Sequence, residues 1–174
     1  MKIGIITCFD LKNVNFGNRL QTYALNAYLN NTFEDISAET LYFQSFKDFK
    51  RTKNEPLYKR VSRKVNRDFL HKNKSQLPAL LEKRLKRFNA FSIKNTTLID
   101  HPLEKAELYN LDYDLFIVGS DVVWYQWDYG IRPIKLLDFD TFKHVPKVSY
   151  AASFGNDHIP SENRNELIRC FKSY

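Results

Sequence analysis

The sequence predicts an α/β domain, a parallel sheet covered by helices, on three observations. Short β-branched runs alternate with stretches of helical apolar spacing in the order β, α, β, helices, β, loop, β, α. Three of those runs, in "MKIGIIT", "YDLFIVGS" and "KVSYAAS", break off into small or polar residues, as strands do where they reach a ligand-binding edge. The chain has 174 residues, 43 % of them hydrophobic and 15 % aromatic. A chain of that size buries about 70 % of its unfolded surface, enough for the core of one domain.

Taken in order, "MKIGIIT" is the first strand and "CFDLKNVNFGN" a polar loop. In "RLQTYALNAYLNN", Leu20, Tyr23, Ala24, Ala27 and Tyr28 recur at helical spacing and predict a helix with that stripe facing inward. "SAETLYF" alternates Ala38, Thr40 and Tyr42 against Glu39, Leu41 and Phe43, the pattern of a second strand. Residues 47–92 change character: Leu80, Leu81, Leu85, Phe88 and Phe91 predict two helices broken near Pro78, a basic insert that projects from the sheet. "HPLEKAELYNLD" predicts a short helix, "YDLFIVGS" the next strand, and "KVSYAAS" a further one after an aromatic loop. "IPSENRNELIRCFKSY" is a helix with Pro160 near its start.

Charge is segregated. Of 27 Lys and Arg, 16 lie in residues 47–94, against 4 of the 20 Asp and Glu. Such a segment is most often a solvated helix face, and a weaker reading has it touching an anionic membrane; nothing points to a specific nucleic acid. The N-terminus has one lysine and no small-residue cleavage site, and no run reaches the ~20 apolar residues of a membrane span, so a cytoplasmic protein is expected, at the inner face of the membrane if the basic segment meets lipid. Cys8 and Cys170 stand at opposite ends without a C-x-x-C or a His cluster, so neither a metal nor a disulfide is expected and both read as packed thiols. The four histidines show no metal-ligand spacing.

Three polar clusters follow strands. The first holds Asn13, Asn15, Gly17, Asn18, Arg19 and Gln21, where a helix N-terminus and a planar cation suit an anion, although neither G-x-G-x-x-G nor a Walker motif occurs. The second is Gly119-Ser120-Asp121, followed by Trp124, Tyr125, Trp127 and Tyr129; Ser120 or Asp121 can cap a helix as well as meet a ligand, and the aromatics can stack on sugar rings or close a core edge. The third is Ser153-Phe154-Gly155. Together they predict a shared cleft with Asn15, Gly17, Asn18, Arg19, Gln21, Ser120, Trp124, Ser153 and Gly155 as binding residues and Asp121 as the one carboxylate inside the clusters.

"MKIGIIT" with "NFGNRLQTYAL", then "YDLFIVGSDVVW", "LLDF" and "KVSYAASFG", in that order and spacing, resemble the N-terminal half of the polysaccharide pyruvyl transferase family. The resemblance implies a Rossmann-like sheet, one half of a GT-B-type two-domain enzyme with its active site between the halves. It implies transfer of pyruvate from phosphoenolpyruvate to a sugar, or to a lipid-linked oligosaccharide, as a cyclic ketal in cell-surface polysaccharide synthesis, with no cofactor, and in that chemistry Asp121 is the candidate catalytic residue, as base or to orient a hydroxyl. Family members carry Gln and Val before the tryptophan and Asn after it; Val122, Val123, Trp124 and Tyr125 stand here. On this reading the chain is a partial enzyme whose C-terminal partner domain is missing. A glycosyltransferase using a nucleotide sugar, and a non-enzymatic module gripping an anionic partner through residues 47–94, are the alternatives.

Overall fold

Ile3, Ile5 and Ile6 are at most 1 % exposed, because β1 (Lys2–Ile6) has a parallel neighbour on each edge. β2 (Ser37–Leu41) pairs with it from Ser37 opposite Lys2 to Leu41 opposite Ile6, and β3 (Leu115–Asp121) from Leu115 opposite Ile3 to Val118 opposite Ile6. β4 (Lys147–Ala152) pairs in parallel with β3 on its far side. The result is a four-stranded sheet of order β2-β1-β3-β4 with all strands parallel, a Rossmann-like α/β arrangement as the strand and helix pattern predicts. This computed structural model describes residues 1–43, 77–125, 132–138, 142, 144–155, 161–172 and 174. Between the strands run α1 (Phe16–Thr32), α2 (Leu77–Asn95), a 3₁₀ helix (Lys105–Asn110), α3 (Arg132–Lys135) and, last, α4 (Ser161–Phe171).

Strand alternation sends side chains to two cores. On one face Ile3, Ile5, Ala38 and Ile117 meet Leu25 and Leu29 of α1. On the other, Ile6, Leu41, Phe116 and Val118 meet Leu103, Leu108, Ile134, Leu137 and Phe142. Because β1 and the middle of β3 are buried on both faces, they read as continuous apolar runs rather than as alternating ones.

The face that α1 turns to the sheet differs from the predicted stripe. Arg19, Thr22, Leu25, Asn26 and Leu29 are buried, whereas Leu20 and Tyr28 are 38 % and 60 % exposed. Polar residues can occupy that face because each finds partners. The Asn26 amide donates to the Ala38 and Thr97 carbonyls, both at 3.1 Å, and its Oδ1 accepts from the Thr97 amide at 3.0 Å. Thr22 and Thr7 hydroxyls bond at 2.8 Å. Asn30 takes both backbone groups of Ala38, donating to its carbonyl and accepting from its amide at 2.8 Å each. Part of the apolar stripe serves α2 instead, with Tyr23 edge-on to Phe91 at 5.4 Å and Phe16 against Phe88 at 5.7 Å.

Of the expected basic insert at 47–92, the part beyond residue 76 is helical and lies along α1 by those contacts; the rest falls outside the described residues. The predicted break near Pro78 marks the first turn of α2, where proline's missing amide costs nothing. After α2 the chain runs along the outer edge of β2: Thr40 donates to the Thr97 carbonyl at 2.8 Å and Leu103 to the Tyr42 carbonyl at 2.8 Å. Among the described residues no helix is long and apolar enough to cross a membrane.

Asn26→Ala removes a buried side chain, the side-chain acceptor of the part-buried Thr97 amide and one of the donors to the Ala38 and Thr97 carbonyls, so denaturant unfolding should show a loss of about 2 kcal/mol. Tyr28→Gln, on the predicted but exposed stripe, should stay within about 1 kcal/mol of the parent. Equal losses from the two would restore the apolar stripe as the inner face.

Candidate functional site

β1 and β3 are adjacent, yet their continuations part: the chain leaves β1 through α1 toward β2 on one side and leaves β3 toward β4 on the other. At such a reversal of strand order the two loops diverge and leave a crevice beyond the carboxyl ends. The first and third predicted clusters follow β1 and β4, and the second is the last three residues of β3 itself, so the sheet brings their backbones to one end.

Asn15 is the N-cap of α1, its Oδ1 accepting from the amides of Gly17 at 2.9 Å and Asn18 at 3.4 Å. The capping residue folds the polar loop onto the helix and leaves Gly17 exposed. Asn18 donates to the Cys8 carbonyl at 3.4 Å, tying the helix to the loop after β1. Gln21 lies exposed on the second turn.

Arg19 points the other way. It is 2 % exposed and donates to the Asn13 carbonyl at 3.1 Å, to Asn89 Oδ1 at 2.8 Å and to Ser92 Oγ at 3.3 Å. Its guanidinium carbon lies 4.7 Å from the centre of the Phe9 ring, and its Nε is buried without a partner. Burial pushes its pKa below the usual arginine value, with Asp10 acting in the opposite direction. In this position Arg19 clamps the β1–α1 loop to α2.

The end of β3 is shaped by backbone. Gly119 has φ +132°, and a Cβ there would stand 1.9 Å from the Tyr150 carbonyl oxygen of the neighbouring strand. Asp121 takes a left-handed φ of 70°, a conformation that aspartate tolerates better than most residues. Its carbonyl accepts from the amides of Val123 at 2.9 Å and Ser153 at 2.8 Å, and from Ser153 Oγ at 3.3 Å. Trp124 then donates its amide to the Ser153 carbonyl at 3.2 Å, so the second and third clusters are stitched together by main chain. Gly155, at φ 66°, packs where a Cβ would meet Val122 at 2.5 Å. Ser120 is half-buried beside them.

The Asp121 carboxylate is half-buried and makes no hydrogen bond or ion pair among the described residues, so it caps no helix there. Trp124 has the other disposition. Its indole lies 4.7 Å from Phe171 and 5.4 Å from Phe154 and donates to the Lys135 carbonyl at 3.0 Å, closing the small core of α4 with Leu136, Leu167 and Cys170. Trp127 and Tyr129 fall outside the described residues.

Two residues not singled out as ligands share this end of the sheet. Cys8, two residues past the pairing of Ile6 with Val118, packs against the main core. Burial raises its thiol pKa, Lys135 lowers it and Asp121 raises it. Lys135 ends α3, a turn that the aromatic, unpatterned sequence around it did not announce. His101, by contrast, is remote from the cleft clusters in sequence and pairs with Glu107 at 2.5 Å on the surface.

A parallel α/β sheet whose three polar clusters gather at the end where its strand order reverses is a Rossmann-like arrangement. Residues 15–174 match the polysaccharide pyruvyl transferase family, and the chain belongs to it. The family is one of transferases with a sugar or polysaccharide acceptor. No curated protein matches the chain, and no solved structure does.

Gly119→Ala should lower stability by at least about 2 kcal/mol, since a Cβ meets main chain and the φ is left-handed. Gly17→Ala, where the Cβ would meet only the Asn15 side chain at 3.3 Å, should stay within about 1 kcal/mol. Urea unfolding of both separates a strand end held by close backbone approach from one that tolerates any residue.

Proposed function

We propose that this crevice transfers pyruvate from phosphoenolpyruvate to a sugar as a ketal. Family membership supports the reading, and the single observation that carries it is the convergence of three strand-end motifs around an unpartnered carboxylate, Asp121. The reaction protonates the methylene carbon of the enol phosphate, giving a methyl group and an oxygen-stabilised cationic carbon. A sugar hydroxyl adds there and gives up its proton; the carbon–oxygen bond to phosphate breaks, and a second hydroxyl adds with loss of its own proton. The products are the cyclic ketal and inorganic phosphate. Each hydroxyl needs a base within hydrogen-bond reach. Asp121 fits, because its carbonyl is engaged by Val123 and Ser153 while its carboxylate has no partner among the described residues.

In this proposal Asn15, Gly17, Asn18 and Gln21 form the wall of the crevice on the side of α1, and Ser120, Ser153 and Gly155 the wall on the side of β4. Arg19 and Trp124 act one layer back, Arg19 by fixing the β1–α1 loop and Trp124 by fixing the turn of Lys135. A second domain facing the carboxyl ends of the strands, as in a GT-B arrangement, supplies the remaining groups, and the enzyme works without a cofactor.

Donor choice tests the reading. Calorimetric titration should show binding of phosphoenolpyruvate; binding of a nucleotide sugar in its place would overturn the proposal in favour of glycosyl transfer. In the intact enzyme, Asp121→Asn should keep its melting temperature, asparagine being at home at a left-handed φ, while phosphate release from phosphoenolpyruvate falls about 10²-fold. Asp121→Ala should lose the same activity and, in addition, about 1 kcal/mol of stability. Unchanged turnover in both variants removes Asp121 from the chemistry.

A further inference from the structure

α2 is longer than its seat. The contacts that bind it to α1 climb both helices in the same direction. Phe16 and Phe88 have ring centres 5.7 Å apart, Arg19 donates to Asn89 Oδ1 at 2.8 Å and to Ser92 Oγ at 3.3 Å, Tyr23 and Phe91 have ring centres 5.4 Å apart, and Asn26 reaches the Thr97 carbonyl at 3.1 Å. The two helices are therefore parallel, and Phe88 sits beside the first residue of α1. α1 itself begins at the carboxyl end of the sheet, where Asn18 donates to the Cys8 carbonyl. The chain after it returns at the amino end, where the Ser37 amide donates to the Met1 carbonyl at 2.9 Å. The turns of α2 before Phe88, from Leu77 to Arg87, consequently run past the start of α1 at the end of the sheet where the polar clusters gather, roughly 16 Å of helix by its rise per residue.

This projecting half sorts its side chains. Leu81 and Leu85 continue, at helical spacing, the stripe of Phe88 and Ser92 that packs on α1, but beyond Phe16 there is no α1 to cover it, and Leu81 is 40 % exposed. Leu80, 62 % exposed, heads a neighbouring stripe with Lys83, Arg84 and Arg87, all of them exposed. The Arg84 guanidinium carbon lies 5.0 Å from the centre of the Phe88 ring, so this cation stands directly on the apolar stripe. Glu82, the one acidic residue from Leu77 to Arg87, is paired with Lys86 at 2.8 Å on a different face. The stripe that holds Leu80 thus carries three cations and no acid.

Cations alone suit any polyanion. Exposed leucines beside them select a partner that takes apolar side chains as well, and an anionic lipid surface offers both phosphates and a hydrocarbon boundary. We propose that the N-terminal half of α2 is an arm that seats on an anionic membrane surface, with Leu80 and Leu81 entering the interface, Lys83, Arg84 and Arg87 meeting lipid phosphates, and the carboxyl ends of the strands turned toward the lipid. The surface does not rest on the pyruvyl-transfer reading; where a sugar acceptor is carried on a lipid, it brings that acceptor to the end of the sheet which the reading uses.

Flotation of the full chain with lipid vesicles tests this. The chain should partition onto vesicles of phosphatidylglycerol and phosphatidylcholine, not onto phosphatidylcholine alone, and added salt should weaken the binding. Lys83→Gln, Arg84→Gln and Arg87→Gln together should lower the partition coefficient about a hundredfold, at about fivefold per cation. Leu80→Gln with Leu81→Gln should lower it several-fold. The same charge removed by Lys2→Gln, Lys94→Gln and Lys172→Gln, at exposed positions outside the projecting half, should leave it within about threefold of the parent. Melting temperatures establish that the variants are folded. Equal losses from the two triple variants would make the binding a matter of net charge and overturn the arm. Leucine variants that partition as the parent does would overturn its seating in the interface. Absence of binding to the anionic vesicles would overturn the proposal, whether these residues then hold the chain on heparin, as for an anionic polymer, or join two copies in sedimentation.

Discussion

The central pairing of β1 with β3 is the constraint on which the remainder depends. Two parallel strands, each with a further neighbour on its outer side, have no room to connect to one another directly, so each must leave through a crossover. Here the crossovers diverge, one to β2 and one to β4. The same pairing that buries Ile3, Ile5, Ile6 and Val118 thus sets the polar strand ends where the connections diverge. The apolar register and the polar crevice are two consequences of one arrangement. A slip by one residue would exchange the two faces of the sheet and move Asp121 away from Cys8 together.

Holding that register falls in part to polar side chains. Asn26 and Asn30 of α1 bind the backbone of Ala38, and Asn26 reaches on to Thr97, so one helix specifies both the position of β2 and the path of the chain that covers its edge. Hydrophobic contact between Leu25, Leu29 and the sheet is non-directional and fixes neither. Arg19 adds the third direction by joining the β1–α1 loop to α2. Each buried amide group contributes modestly when satisfied and costs more when orphaned, which makes the helix face intolerant of single changes.

The strands and the places where they stop were legible in the sequence, because a β-branched run that ends in Gly-Ser-Asp or Ser-Phe-Gly changes chemistry within two residues. The inner face of α1 was not. Counting apolar residues at helical spacing selects Leu20 and Tyr28, whereas burial selects Thr22 and Asn26, whose partners lie in β2 and beyond α2 and cannot be seen locally. The gathering of the polar clusters was legible at the level of motifs, since all three lie at one end of the sheet. Which side chains face it was less so. Arg19 carries the charge that suits an anion, but its long stem reaches Asn89 and Ser92, some seventy residues away in sequence. Trp124 reads as a stacking platform or as the closure of a core edge, and its packing on Phe171 of α4 is the second. The turn of α3 gave no signal, since it is a single turn between aromatic and apolar residues.

What the polar groups at the strand ends do with their hydrogen bonds separates scaffold from chemistry. Asn15 spends its carbonyl oxygen on two amides of α1, Asn18 its amide on Cys8, and Ser153 its hydroxyl on Asp121. Each is engaged in building the loop that carries it. At Asp121 the division runs within one residue: the carbonyl binds Ser153 and Val123, and the left-handed φ turns the chain away from the sheet, while the carboxylate is left without a protein partner among the described residues. Asparagine or glycine would adopt the same backbone, so the turn by itself does not account for a carboxylate at this position.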